Sequence, residues 1–270
     1  MKALLLTLVV LLPAPIAQGQ LVMSGHWRKI FAAGCAAPTM TYRWAAYNSS
    51  NTCGATGGSS CSTSGQAVYS VADFVAGNTL KQAATSAQPT FETSAVNSRP
   101  ALSFNGSSNY MTMATPVPVT NTTYTFYAVF NPANVASGFI FGNYLGYGVQ
   151  VVVRLYQTHL QFIVDAGASP DSLSGSTVLS TGTWYTMVAT YNLTSRAAAL
   201  YLCSAGTCSS QGTATLAAQT LTKSLGALGT GNDSVTNPFD GYLAEAGYFN
   251  GIDSNPSADI GAWSYCWYGI

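Results

Sequence analysis

Tyr124-Thr-Phe-Tyr-Ala-Val-Phe130, closed by Asn131-Pro132, decides the fold. Aromatic and β-branched residues fill the stretch and a turn dipeptide ends it, so it reads as a β-strand. Outward from it, as far as Asn250, the dominant period stays at two. Residues 138–142 form a short strand, 147–156 a longer one, and 159–165 comes after a tight Gln157-Thr158 turn. A loop spans 167–175. Residues 184–192 and 197–203 make a hairpin around Leu193-Thr-Ser195, and 225–231 and 239–249 complete the series. Strands at this spacing, with turns between them and almost no helical period, predict an all-β sandwich or barrel. The exception lies near the end, where Ser257 is expected to cap a short helix carrying Ile260, Trp263, Cys266 and Trp267 on one core-packing face.

The chain begins with Lys2, an apolar run from Ala3 to Leu12, and a small, polar stretch to Gln20. That run is too short to span a bilayer and matches a secretory signal, with Ala17-Gln18-Gly19 as the cleavage site. An N-terminal apolar strand or an uncleaved anchor is the alternative. The expected organisation is a signal peptide at 1–19, an N-terminal arm at 20–34 and one domain at 35–270, since no repeat, charge run or linker divides the rest. Charged residues make up 7% of the chain and hydrophobic ones 48%. The second figure excludes disorder. Nine basic residues balance nine acidic ones, so no positive field exists to draw nucleic acid or anionic lipid.

Six cysteines, Cys35, Cys53, Cys61, Cys203, Cys208 and Cys266, accompany the secretory signal, and three disulfides are the expectation. Fifteen connectivities are possible. Short range favours Cys53–Cys61 across the Ser/Gly-rich 49–64 loop and Cys203–Cys208 across a hairpin turn, which leaves Cys35–Cys266. A zinc site fits poorly, with no C-x₂-C pair and His26 and His159 as the two histidines.

A family resemblance is carried by an ordered set of phrases: Val71-Ala-Asp-Phe74, Leu80-Lys-Gln-Ala-Ala-Thr85, Gln88-Pro-Thr-Phe91, Val96-Asn-Ser-Arg-Pro-Ala-Leu-Ser-Phe-Asn-Gly106 and Tyr110-Met111. Together they resemble the opening segment of laminin-G-like, concanavalin A-like lectin/glucanase jelly-roll domains, with Ser98 for the usual glycine and Asn105 for the usual aspartate. Tyr124 to Phe130, Thr183-Trp-Tyr185, Ala199-Leu-Tyr201 and Phe239-Asp-Gly-Tyr-Leu-Ala-Glu-Ala246 are similar to the later strands. Ala262-Trp263 and Trp267-Tyr-Gly-Ile270 are similar to the closing helix of many microbial members. The resemblance implies a two-sheet antiparallel jelly-roll sandwich with a short C-terminal helix. It also implies binding by edge loops or the concave face and, in some members, a loop-held calcium ion.

Catalytic patterns are weak. Asp240 and Glu245 bracket the densest acidic segment, but their odd spacing sends them to opposite faces of a regular strand, away from the paired geometry that glycoside hydrolysis needs. Glu245 is expected to pair with an arginine or with backbone. No nucleophile elbow occurs. Arg154, Tyr156 and His159 are the nearest approach to a lyase cluster, and a binding face explains them equally well. With Tyr147 they are the candidate ligand-binding residues, aromatic faces stacking on sugar rings while polar neighbours fix orientation. Calcium is the candidate cofactor, with Asp165 and Asp233 as its ligands, although acidic residues in such loops more often just make turns. Asn48, Asn105, Asn121, Asn192 and Asn232 begin N-x-S/T sequons, about as many as chance provides in so Asn/Ser/Thr-rich a chain. The reading is a secreted, surface-associated, non-catalytic module for an extracellular glycan or surface protein, with no membrane span and no nucleic acid. The alternatives are a structural subunit of an extracellular fibre, appendage or virion that self-assembles through the N-terminal arm, and thirdly a carbohydrate-active enzyme.

Overall fold

The computed structural model describes residues 35, 37–54, 58–118, 123–142, 150–165, 171–216, 224–230 and 237–270. Residues 36–270 form one compact unit. The predicted signal peptide and N-terminal arm lie outside the described residues, as do Tyr147, Asp233, Asn121 and Asn232.

Period-two patterning has produced two antiparallel sheets. The first is built from β1 (Tyr42–Ala45), β5 (Thr90–Val96), β6 (Arg99–Asn105), β8 (Thr123–Pro132), β13 (Tyr185–Asn192), β14 (Ala197–Ser204), β15 (Thr207–Thr215) and β17 (Asp240–Asn250). Its order is β5–β6–β17–β8–β13–β14–β15, with β1 beside the second half of β17. The second runs β2 (Thr52–Cys53), β3 (Gln66–Val71), β4 (Leu80–Lys81), β7 (Met111–Pro118), β16 (Ser224–Leu228), β9 (Ser137–Gly142), β10 (Gln150–Tyr156), β11 (His159–Asp165) and β12 (Asp171–Ser174). The result is a jelly-roll-like sandwich. Alternate residues of the quoted stretch, Tyr124, Phe126, Ala128 and Phe130, turn inward to the shared core. Phe126 meets Phe141 and Phe162 of the opposing sheet at ring-centroid distances of 5.9 and 6.1 Å.

Three hairpins close with two-residue turns: Asn97-Ser98, Gln157-Thr158 and Ala205-Gly206. Both residues of each turn have positive φ, between 44° and 80°. Such turns match the right-handed twist of paired strands. Thr158 holds this conformation despite its branched β-carbon.

Cys53–Cys61 and Cys203–Cys208 are disulfide-bonded as expected, and the latter joins residues that face each other across β14 and β15. Cys35 and Cys266 are disulfide-bonded as well. No helix among the described residues is long and apolar enough to cross a membrane.

Four local expectations need correction. The 167–175 loop contains β12, which hydrogen-bonds along β11. The C-terminal helix opens with a π turn, Ser257–Gly261, before α1 (Ala262–Tyr268). Its N-cap is Pro256, not Ser257, whose hydroxyl bonds the Cys208 backbone instead: it accepts from the N–H at 2.8 Å and donates to the carbonyl at 3.2 Å. Ile260, Trp263, Ser264 and Tyr268 form the buried stripe, while Cys266 is exposed, because the wider π turn shifts the phase of α1. Finally, Asp240 and Glu245 do not face opposite ways. A bulge at Ala244 breaks the register of β17 against β8, so Tyr242 stands opposite Asn131 and Glu245 opposite Val129, all on the outer face.

Candidate functional site

The outer face of the first sheet is organised around Glu245. Its carboxylate is 2% exposed and takes Nε of Arg43 at 2.6 Å, the Tyr268 hydroxyl at 2.7 Å and the Tyr127 hydroxyl. The expected arginine partner is therefore Arg43, brought alongside by β1. Burial pushes the Glu245 carboxyl up, although Arg43 and the two hydroxyls pull the other way. Burial also works against the Arg43 charge, but the charge and hydrogen bond of Glu245 outweigh it and hold the guanidinium above its ordinary range. Burial pushes Tyr127 and Tyr268 well up, so both keep their protons and donate. Arg43 also lies 5.0 Å from the ring centres of Trp263 and Phe74. This ion pair, the lone one among the described residues, thus clamps α1 to the sheet. Gly247 makes room, since a β-carbon there would lie 2.1 Å from the Tyr127 ring.

Strand register places an open depression on either side of this clamp. The larger, about 550 Å³, lies toward the 250s loop and is lined by Thr190, Asn192, Tyr201, Thr213, Thr215 and Asp253 among others. Alanines of β14 form its floor. Asp253 is 5% exposed, with one oxygen accepting from the Asn255 N–H and the other buried without a partner. Burial, opposed by that backbone bond and reinforced by Asp259, pushes its carboxyl up to about 6.

The smaller depression, about 330 Å³, is lined by Ser64, Glu92, Ser94, Ala95, Asn131, Trp184 and Tyr242. Tyr242 projects outward from β17 just before the bulge, opposite Asn131, while Trp184 immediately precedes β13. Their ring centres lie 6.3 Å apart with planes inclined by 33°. Tyr242 is 36% exposed. Two adjacent, partly exposed aromatic faces ringed by hydroxyls, an amide and one carboxylate can stack on an apolar ring face and hydrogen-bond its edge.

The residues expected from the sequence lie elsewhere. Arg154, Tyr156 and His159 do come together on the outer face of the second sheet. There the guanidinium covers the Tyr156 ring at 4.5 Å and donates through Nε to Gln161 at 2.7 Å. His159 stands opposite Tyr156, with Nδ1 at 2.7 Å from the Gln157 carbonyl oxygen. Arg154 and Tyr156 are thus engaged with each other and His159 with the turn backbone, although Tyr156 remains 40% exposed. Asp165 ends β11, and among the described residues no three His, Cys, Asp or Glu side chains gather as metal ligands. Of the sequons, the side-chain oxygens of Asn105 and Asn192 accept backbone N–H groups in tight turns, and the Asn48 amide donates to the Ala72 carbonyl.

Sequence reasoning passes over Trp184, Tyr242 and Glu92. Tyr242 sits at an outward strand position where a solvent-facing residue would be polar, and that is the one signal the sequence offers. Glu92 is distant from Trp184 along the chain, and the sheet order β5–β6–β17–β8–β13 brings it near.

No curated protein matches the sequence. Among solved structures, domain 4 of AbnA, a GH43 extracellular arabinanase from Geobacillus stearothermophilus in complex with arabinotriose, is similar with a TM-score of 0.53 at 13% identity, over 84% of this chain and 99% of that one. An arabinofuranosidase complexed with arabinofuranosyl-alpha-1,2-xylobiose aligns with a TM-score of 0.56 at 15% identity, over 86% of this chain and 59% of the other. A Trypanosoma rangeli sialidase in complex with sialic acid gives 0.54 at 14%, over 84% of this chain and 33% of the other. At these identities the likeness is one of fold. The sequence pattern of the concanavalin A-like lectin/glucanases superfamily, of laminin G type, matches residues 105–255, more than half of the chain. The chain belongs to that superfamily.

Proposed function

We propose that the protein is a secreted, non-catalytic glycan-binding module that uses the Trp184–Tyr242 depression. The observation that carries this reading is the aromatic pair itself, two outward-facing rings 6.3 Å apart in a polar-rimmed hollow. Large aromatics on a sandwich ordinarily turn inward, as Tyr124 and Tyr191 do here. A pair held at the surface beside hydroxyl and amide groups suits a ligand with an apolar face and a hydroxylated rim. The Arg154–Tyr156 pair suits it less, because the guanidinium already lies against the ring.

Binding without catalysis is supported by the carboxylates. Glycoside hydrolysis ordinarily takes two carboxyl groups on either side of the scissile bond. Among the described residues, Glu92 is the one acid lining the hollow, and Glu245 is committed to Arg43 and two tyrosines. The disulfides fit an extracellular destination.

A glycan array probed with the purified protein tests the reading. Retention of defined oligosaccharides is expected, with affinity lowered about tenfold or more in Trp184→Ala and Tyr242→Ala through loss of the stacking surface. An array with no retained glycan removes the reading.

A further inference from the structure

Among the described residues, Glu92 is the one charged side chain lining the aromatic hollow. Its described neighbours there are Ser64, Ser94, Ala95, Asn131, Trp184 and Tyr242, so no lysine or arginine among the described residues offsets it. Ser64 is turned toward Thr93, its hydroxyl 3.0 Å from Thr93 Oγ1 and accepting the Thr93 N–H. The ion pair among the described residues is Arg43–Glu245, and Glu92 has no part in it. A half-buried carboxylate beside two neighbouring, mutually tilted rings, with no cation partner among the described residues, imposes a definite selectivity. An ionised carboxylate can only accept hydrogen bonds, so it rewards a ligand edge made of O–H donors. The same charge repels a uronate, sialate or sulfate brought against the rings, in a hollow whose described lining holds no basic group to compensate.

Resting on the binding site proposed above, we infer that the hollow selects neutral glycans and excludes acidic ones, with Glu92 as the specificity-determining residue. A carboxylate has two oxygens, and neighbouring hydroxyls on one sugar ring can donate to both. Glu92 thereby fixes the rotation of a ring whose face Trp184 and Tyr242 support. Replacing it by glutamine keeps the size but turns one acceptor into a donor and removes the charge.

The test is a titration of the wild type, Glu92→Gln and Glu92→Lys with neutral β-linked gluco-, xylo- and manno-oligosaccharides and, in parallel, with oligogalacturonides and sialyllactose. Glu92 is a half-exposed strand residue whose replacement leaves the core intact, and far-UV circular dichroism confirms folding. The wild type is expected to bind at least one neutral series and no acidic one. Glu92→Gln is expected to bind that series roughly tenfold more weakly, the usual cost of losing a charge-assisted acceptor. Glu92→Lys is expected to lose neutral binding and gain affinity for an acidic series. Wild-type binding of acidic oligosaccharides as tight as neutral ones, abolished by Trp184→Ala, would overturn the inference while leaving the site standing. Neutral binding unchanged in Glu92→Gln would overturn it too. Failure of every oligosaccharide to bind removes the site and the inference together.

Discussion

Two buried acids show how environment sets the work of a carboxylate. Glu245 keeps company with Arg43 and two tyrosine hydroxyls, so its burial is compensated. Asp253 has a single backbone donor, an unpartnered oxygen and Asp259 nearby, and its carboxyl is pushed up to about 6. That raised value fixes the sign of a pH effect. The folded state holds this proton more tightly than the unfolded chain, whose aspartates titrate at about 3.9. The stabilisation is therefore fully present below about pH 4 and is lost as pH rises through 6. Between pH 4 and 7 the loss should be on the order of 1–2 kcal/mol, allowing for solvent screening. Asp253→Asn should remove it and leave a protein at least as stable as the wild type at pH 7. Urea unfolding at pH 4.5 and 7 measures both, and an unchanged pH slope in the variant would refute the assignment.

At the scale of elements, α1 and the π turn before it act as a strap across the first sheet. Ile260, Trp263 and Tyr268 are buried, Trp263 meets the Tyr127 ring edge-on at 5.9 Å, and Tyr268 donates to Glu245. Trp263→Ala should cost about 3–5 kcal/mol, in the range for deleting a buried tryptophan. Glycan binding should be kept, since the Trp184–Tyr242 hollow has no side chain from the strap in its lining. A denaturation midpoint equal to that of the wild type would show the strap to be idle. How legible each element is in the sequence depends on burial. Strands β8, β10, β11, β13, β14 and β17 carry strong apolar alternation and are legible to within a few residues of their ends. Strand β15, Thr-Cys-Ser-Ser-Gln-Gly-Thr-Ala-Thr, has almost no hydrophobic period, because it is an edge strand whose side chains are mostly exposed or half-buried. The bulge at Ala244 is equally silent. It arises from the fit of β17 against β8, and it reverses the expected facing of Asp240 and Glu245. The π turn misleads the helix reading in the same way, since its register answers to contacts with Cys208.

For the whole molecule, the low charge content acquires a spatial meaning. With 7% charged residues, the outer face of the first sheet uses the Arg43–Glu245 ion pair to fasten the strap and, among the described residues, leaves one carboxylate, Glu92, at the aromatic hollow. The sequence displays the family phrases in order, and so the sandwich, but not this hollow. Ser64, Glu92, Asn131, Trp184 and Tyr242 come from five separate stretches of chain, and only strand pairing assembles them. Arg154, Tyr156 and His159 look more like a site because they are close in sequence, and in the fold Arg154 is taken up by the Tyr156 ring and Gln161 and His159 by the turn backbone. The two faces are on opposite sheets, so one experiment separates them. A crystal of the protein grown with the neutral oligosaccharide it binds most tightly should show a sugar ring stacked on Trp184 and Tyr242, with adjacent hydroxyls on the Glu92 carboxylate. A sugar seated on Tyr156 and His159, with the Trp184–Tyr242 hollow empty, would contradict the account.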